Sequence, residues 1–185
     1  MAAYTGAGAV ASGTVGALLG FSGALLGLAG ERLGRWQASG AAAWAAAGLA
    51  ALLAARELGW LSFPLPERRR QAEKLWYQQF GAVTAAALWG LHIGIGLHTR
   101  VRFGGFWLLV AVAVLGRDPF AGALLLGCYW LGRALPLWAA PLLFSRVGAG
   151  VELLAPVARG EWAQRRSHAL ALAMAALALG RAALA

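Results

Sequence analysis

The stretch GTVGALLGFSGALLGLAGERLG, residues 13–34, decides how this chain folds. Its glycines recur at alternating spacings of three and four residues: Gly13, Gly16, Gly20, Gly23, Gly27, Gly30 and Gly34. Residues three and four apart share one helix face, so the spacing predicts a helix with a continuous stripe that carries no side chains. In water each interior glycine costs about 0.5–1 kcal/mol relative to alanine, but in hydrocarbon the helix persists. We therefore predict a membrane helix that packs against other helices through the stripe from Gly13 to Gly30.

The composition of the whole chain also indicates a membrane protein. Apolar residues make up 61% of the 185 residues and charged residues 12%, against about 25% charged in an ordinary soluble domain. The formal net charge of +9 would suggest a nucleic-acid partner in a soluble chain. Here the basic residues cluster between apolar runs, as in loops near anionic headgroups. We therefore expect the lipid bilayer as a partner, and we do not expect a nucleic acid.

The apolar runs predict an all-α, polytopic transmembrane helical bundle of five or six spans, forming a single domain over residues 1–185. Residues 1–7 are predicted to be a short uncharged lead, and Pro136 and Pro141 to close the fifth span. The second span is rich in alanine and leucine, so we expect it to lie on the glycine stripe. The predicted spans are 8–29, 39–58, 79–98, a short segment at 105–116, 120–135 and 167–183.

The apolar stretch 80–116 is too long to be one helix. At 1.5 Å per residue it would measure about 55 Å, against a hydrocarbon core of about 30 Å. We expect it to break at 98–102 or at Gly104-Gly105, leaving a second piece of about 16 Å that cannot cross alone. Short, glycine-interrupted segments of this kind indicate the binding site in transporter-like folds.

Ionisable side chains inside apolar runs are functional candidates, because charge is costly at membrane depth. Arg133 lies inside the fifth predicted span, and we expect no acidic residue inside any span. Its partner would be a carbonyl, a loop carboxylate such as Asp118, an anionic ligand or another subunit; alternatively, Arg133 snorkels to the interface. The candidate substrate or proton site comprises His92, His98, Thr99, Arg100 and Arg133.

The same residues do not predict a metal centre or an enzyme. His92 and His98 are six residues apart, about 240° around a helix, so they do not form a two-ligand metal face. Ser22 and His92 lack the spacing and the oxyanion donors that an intramembrane serine protease needs. We therefore expect no metal, no cofactor and no catalytic residue.

Two stretches resemble a known family: WGLHIGIGLHTRV at 89–101 and GALLLGCYWLGRALP at 122–136. Together they are similar to the membrane domain of the CcdA/DsbD-type transmembrane thiol–disulfide electron carriers of cytochrome c biogenesis. In that family a glycine-rich helix ends in Trp-Thr-Pro-Cys. Thr99, Arg100 and Val101 would correspond to the Thr, Pro and Cys of that element. The resemblance implies two related three-helix halves around a central cavity, in the inner (plasma) membrane of a bacterium.

The family's redox chemistry does not carry over with the resemblance. Val101 stands where one membrane cysteine is expected, and the first span contains no cysteine. Cys128 is the single cysteine of the chain, and alone it could form only a mixed disulfide with a partner. A small apolar filler in a packed helix is the alternative role for Cys128.

Three functions follow as hypotheses. The first is transport of a small ion or anion, with the helix break and Arg133 forming the site. The second is a non-catalytic subunit or assembly factor of a membrane protein complex, with glycine-rich surfaces that bind other membrane protein subunits. The third is a thiol–disulfide relay between Cys128 and a partner's thiol.

Overall fold

The structure is a computed structural model that describes residues 1–66, 76–96, 103–143 and 161–184. These residues form helices joined by turns, and the described ranges contain no strand. In chain order the helices are α1 (Ala2–Ala29), α2 (Glu31–Gln37), α3 (Gly40–Glu57), the single turn α4 (Trp76–Gln79), α5 (Ala82–Gly94), α6 (Gly105–Gly116), α7 (Pro119–Leu143) and α8 (Glu161–Ala182).

Helix α1 is the central element, and it packs most extensively against α7 and α5. It runs antiparallel to α7, because Gly16 lies against Gly122 and the Ser12 hydroxyl donates to the Leu126 carbonyl at 2.8 Å. A second layer consists of α3 and α8, which lie antiparallel along each other. The prediction that the second span lies on the glycine stripe is wrong, because α3 packs mainly against α8 and α6.

The short helix α6 lies between these two layers and is apolar on every side. Phe106 and Ala113 are buried in a cluster with Leu126 of α7, next to Val15 and Leu19 of α1. Leu108 joins a different cluster, which consists of Ala50, Leu53, Ala54 and Leu172 from α3 and α8. A helix of 12 residues spans about 18 Å, so α6 cannot cross a bilayer alone and is instead covered by protein.

The boundaries of the first and fifth predicted spans differ from the structure. Residues 2–7 belong to α1, because the indole N–H of Trp130 donates to the Thr5 carbonyl and that of Trp138 to the Thr5 hydroxyl, each at 2.9 Å. Helix α7 continues through Pro136 and Pro141, which were expected to end it. Each proline removes one N–H donor, and an apolar helix tolerates that loss where the freed carbonyl finds another partner.

The break between α5 and α6 begins earlier than expected. Helix α5 ends at Gly94 instead of reaching residue 98, and Gly96 has a φ of +73°, in the left-handed region that favours glycine. The predicted short segment 105–116 has the same bounds as α6. The last helix begins at Glu161, six residues before the predicted start at 167.

The chain is an all-helical, membrane-associated protein, with fewer candidate spans than the five or six predicted. In the described ranges α1 and α7 are long and apolar enough to cross a membrane. The pair α2–α3 qualifies as a third candidate if its two helices, bent by 67°, count as one span. Helix α8 is not among these candidates, because the polar run from Gln164 to His168 lowers the hydropathy of its first half.

Candidate functional site

The predicted site residues lie on two helices, α5 and α7, and in a segment outside the described ranges. His92 lies on α5, partly buried, with its ring edge-on to Trp76 at 5.6 Å between centroids. Arg133 lies on α7 and is exposed. The predicted site residues His98, Thr99 and Arg100 lie outside the described residues.

The register of α7 fixes the level of Arg133 in the bundle. Trp130 and Trp138, on either side of it in the sequence, both donate to Thr5 of α1. Arg133 is therefore level with the first turns of α1. Asp118 is not its partner, because 15 residues of α7 separate them by about 22 Å. The Asp118 carboxylate instead accepts the backbone N–H groups of Phe120 at 2.8 Å and Ala121 at 3.3 Å, at the start of α7.

A buried carboxylate at the helix break is the feature that the sequence reasoning missed. Glu57, the last residue of α3, is 4% exposed. Its Oε1 accepts the backbone N–H of Gly104 at 3.0 Å and pairs with the Arg56 guanidinium at 3.0 Å. Gly104 is the N-cap of α6, where the helix dipole favours a negative charge. The N-terminus of α6 thus already holds an anion that belongs to the chain itself.

Contacts around Glu57 bring the end of α3, the start of α6 and the second turn of α8 together. The Arg56 Nε donates to the Phe63 carbonyl at 2.9 Å, and its guanidinium lies 5.7 Å from the centre of the Phe63 ring. Phe103, just before Gly104, stacks on His168 of α8 with 3.9 Å between ring centroids. We call these residues the Glu57 cluster: Arg56, Glu57, Phe63, Phe103, Gly104 and His168. The arrangement is suited to holding α3, α6 and α8 in register.

One signal in the sequence pointed to Glu57. It is the single acidic residue between Glu31 and Glu67, and it ends an apolar run directly after Arg56. Its partner Gly104 is 47 residues further along the chain, so no local pattern could pair them. Glu57 also lies inside the predicted second span, so the expectation that no acidic residue lies inside any span is wrong at this position.

The stripe glycines of α1 lie against backbone from other helices. A Cβ on Gly16, Gly20 or Gly23 would overlap the carbonyl group of Gly122, Asp118 or Val114, in that order. At Gly27 it would lie 2.7 Å from the Gln37 side chain. Gly13 and Gly30 are less crowded, with the nearest atoms at 3.7 Å and 3.8 Å. The middle of the stripe therefore sets the close approach of α1 to α7 and to the C-terminal end of α6.

Cys128 lies on α7 with its side chain exposed, on the side away from the buried residues Leu126 and Trp130. Within the described ranges, no group of three or more His, Cys, Asp or Glu side chains is arranged to hold a metal ion. The position of Cys128 leaves it accessible from outside the bundle.

A cavity of about 210 Å³ lies at the corner where α2 meets α3. Its walls are apolar side chains of α3, α6 and α8, together with Gln37, Ser39 and Gly116: Ala42, Ala43, Ala46, Val112, Leu115 and Leu179. Gln37 is 8% exposed, and its Nε2 donates to the Gly23 carbonyl of α1 at 3.4 Å. Its Oε1 accepts no hydrogen bond from any residue that the structure describes.

Comparison with known proteins finds two similar bacterial proteins. The methylamine utilization protein MauF of Methylorubrum extorquens is 35% identical over 96 residues, which cover 50% of this chain and 34% of that protein. MauF of Paracoccus versutus is 32% identical over 83 residues, which cover 45% of this chain and 30% of that protein. The matched part spans about a third of the length of these relatives. No protein-family model and no solved structure matches the chain.

Proposed function

We propose that this protein is a non-catalytic membrane subunit or assembly factor that acts in methylamine utilization. The observation that carries the proposal is the 35% identity over 96 residues to a protein named for that process. The helical, membrane-associated character of the chain is consistent with work beside other membrane proteins.

The contacts of the buried Glu57 carboxylate favour a structural role of the protein over a role in transport. A transporter with its anion site at the helix break needs the N-terminus of α6 free for substrate. In this chain Glu57 binds that N-terminus, and Arg56 compensates the carboxylate charge. Arg133, which the transport hypothesis places in the substrate site, is exposed and lies level with the start of α1. The Arg56–Glu57 pair thus holds the end of α3 to the start of α6.

We also propose that the chain crosses the bacterial inner membrane five or six times, in a fold like that of the CcdA/DsbD membrane domain. The antiparallel pairing of α3 and α8 supports this topology. Gly40 at the start of α3 lies against the Ala183 carbonyl, and Gly180 lies against Trp44. The start of α3 thus lies beside the end of α8, and the two helices run along each other. If α3 crosses the membrane, α8 therefore crosses it too.

Deletion of the gene tests the proposed process. We expect the host to lose growth with methylamine as the nitrogen source while growth with ammonium stays unchanged. Complementation uses two matched variants of α1. Gly16→Leu inserts a side chain into the Gly122 backbone, whereas Gly6→Leu meets nothing within 4 Å. Gly6→Leu should restore growth and Gly16→Leu should not. Unchanged growth of the deletion strain with methylamine would refute the proposal.

Purification from native membranes tests the proposed subunit role. Tagged protein, extracted in mild detergent from methylamine-grown cells, should retain a stable membrane protein partner at a fixed stoichiometry. Vesicles that contain this protein alone should show no anion flux above empty vesicles. Flux that depends on the protein and is lost in Arg133→Ala would support transport and contradict the subunit proposal. A monomer without partner and without flux would also contradict it.

A further inference from the structure

Helix α5 runs in the same direction as α1, beside its first turns. Gly90 lies against the Tyr4 carbonyl and Gly94 against the Gly8 carbonyl, so the contact advances equally along both helices. Thr84 is exposed and precedes Gly90 on α5, which places it about 9 Å beyond the level of Tyr4. The start of α5 therefore lies at the same end of the bundle as the start of α1.

Helix α6 continues in that direction after the break. The cluster that contains Phe106 packs against Val15 and Leu19, and Gly23 of α1 lies against the Val114 carbonyl. Both short helices therefore run parallel to α1, with α5 beside its first half and α6 beside its second half. Because the direction of the chain is the same before and after the break, α5 and α6 are two halves of one interrupted crossing.

With this pairing, the helices run alternately between two ends of the bundle. One is the Thr5 end, where α1 begins and the Trp138 indole donates to Thr5. The other is the Gly40 end, where α2 follows α1 and Gly40 of α3 lies against the Ala183 carbonyl. The chain runs from the Thr5 end to the Gly40 end in α1, in α5–α6 and in α8, and it returns in α3 and α7.

This order assigns both long polar connections to the Thr5 end. Residues 58–75 lead from α3 to α4 and α5, and residues 144–160 lead from α7 to α8. The connections at the Gly40 end are shorter, at residues 30–39 and 117–118. Connections of these lengths follow the positive-inside rule, by which the side richer in lysine and arginine faces the cytoplasm.

The basic residues are distributed unequally between the two ends. Arg56 pairs with Glu57 at the break, and the segment 97–102 joins the halves of one crossing, so neither counts for an end. Eight basic residues belong to the long connections and the first turns of α8: Arg68, Arg69, Arg70, Lys74, Arg146, Arg159, Arg165 and Arg166. Four belong to the short connections and the last turn of α8: Arg32, Arg35, Arg117 and Arg181.

Exposed aromatic rings are consistent with a bilayer between these ends. Trp138 is exposed at the Thr5 end, and Trp36 and Trp44 are exposed at the Gly40 end, as in the aromatic belts of membrane proteins. Between them α1 presents exposed Leu18 and Phe21. The 28 residues of α1 measure about 42 Å, the thickness of a bilayer with its headgroup regions.

We propose that the Thr5 end faces the cytoplasm, against the anionic lipid surface of the inner leaflet, and that the excess of basic residues at this end sets the orientation. The Gly40 end, with α2, then faces the opposite side of the membrane. The orientation rests on the multiple crossings proposed above and fixes their number at five. Charge complementarity supports it, because the cytoplasmic leaflet carries the anionic lipids that attract basic segments.

Labelling from known sides of the membrane tests the orientation. In a Cys128→Ser background of the full-length protein, Ser39→Cys reports on the Gly40 end and Thr84→Cys on the Thr5 end, and both positions are exposed. In right-side-out vesicles an impermeant maleimide should label Ser39→Cys and leave Thr84→Cys unlabelled, and inverted vesicles should give the opposite result. The opposite pattern, or labelling of both positions from one side, would overturn the proposal. Growth with methylamine and co-purification are measured separately, so a reversed orientation would leave the proposed function standing.

Matched charge variants test what sets the orientation. Replacement of Arg68, Arg69, Arg70 and Lys74 by glutamine leaves as many basic residues at one end as at the other, so each reporter should become labelled from both sides. Replacement of Arg32, Arg35 and Arg181 by glutamine widens the difference and should leave the labelling pattern unchanged. Equal total labelling after detergent solubilisation controls for the amount of inserted protein. If the first variant kept the parent's pattern, the basic residues would not set the orientation and the proposal would be wrong.

Discussion

At the scale of single residues, Glu57 shows how one buried carboxylate occupies the start of the helix that follows a break. A carboxylate out of water is costly unless it is paired and hydrogen-bonded. Glu57 has both an ion pair and a backbone N–H donor, supplied by two different elements. Composition and periodicity predicted that the chain must break near Gly104, but a contact across 47 residues is invisible to any local pattern.

Replacement of Glu57 should destabilise the protein in proportion to the contacts that are lost. Glu57→Ala removes both the ion pair and the Gly104 hydrogen bond, so we expect the free energy of unfolding to fall by about 2–3 kcal/mol. Glu57→Gln keeps an acceptor for Gly104 and should cost about half as much. Unfolding in mixed micelles, followed by circular dichroism, measures both variants.

Glu31→Gln is the control for this series, because Glu31 is exposed and its pair with Arg35 is long, at 3.7 Å. Its effect should stay within about 0.5 kcal/mol. If Glu57→Ala behaved like this control, the cluster would have no part in holding α3 and α6 together.

At the scale of the elements, the glycine spacing predicted α1 well, and the apolar run 105–116 predicted α6 to the residue. Helix α1 starts earlier than expected because its first turn is held by two tryptophans of α7. The prolines of α7 misled the prediction, since a proline limits a helix locally and says nothing about what surrounds it. Which helices pack against one another could be learned only from the tertiary structure.

Replacement of a stripe glycine by alanine has two opposing effects on the stability of the protein. Alanine favours an isolated helix by about 1 kcal/mol, but at Gly16 its Cβ would overlap the Gly122 backbone, which cannot move without α7. We expect Gly16→Ala to destabilise the protein by about 1–3 kcal/mol in the same unfolding measurement. Gly6→Ala has open space and should be neutral or slightly stabilising. Equal effects at the two positions would show that α1 and α7 are not in close contact.

At the scale of the whole molecule, the composition predicted the helical, membrane-associated class, but not the number of crossings. Length and hydropathy identify α1 and α7, whereas the bent pair α2–α3 is either a broken span or a re-entrant segment. The predicted site stays a prediction, because His98, Thr99 and Arg100 lie outside the described ranges. No local pattern could place Arg133 of α7 level with the first turns of α1, or pair Glu57 with Gly104.

Cysteine labelling distinguishes these two topologies of α2–α3. In a Cys128→Ser background, cysteine is introduced at Ala2, Ser39 or Ser62, all of which are exposed. If α3 crosses the membrane, an impermeant maleimide should label positions 2 and 62 from one side and position 39 from the other. Labelling of positions 39 and 62 from the same side would indicate a re-entrant segment and would contradict the crossing of α3 and α8.

The pairing of Gly16 with Gly122 also constrains the order of assembly. Helix α1 is synthesised before α7, yet its most extensive contact surface is completed only when that helix emerges, since Gly122 follows Gly16 by 106 residues. During translation the bare stripe must therefore wait in the bilayer, shielded only by lipid or by an insertion factor. Closure of the bundle is a late event, and a ribosome that stalls before Pro119 would leave a fragment that quality-control proteases can recognise by the α7-facing side of α1, which is then uncovered.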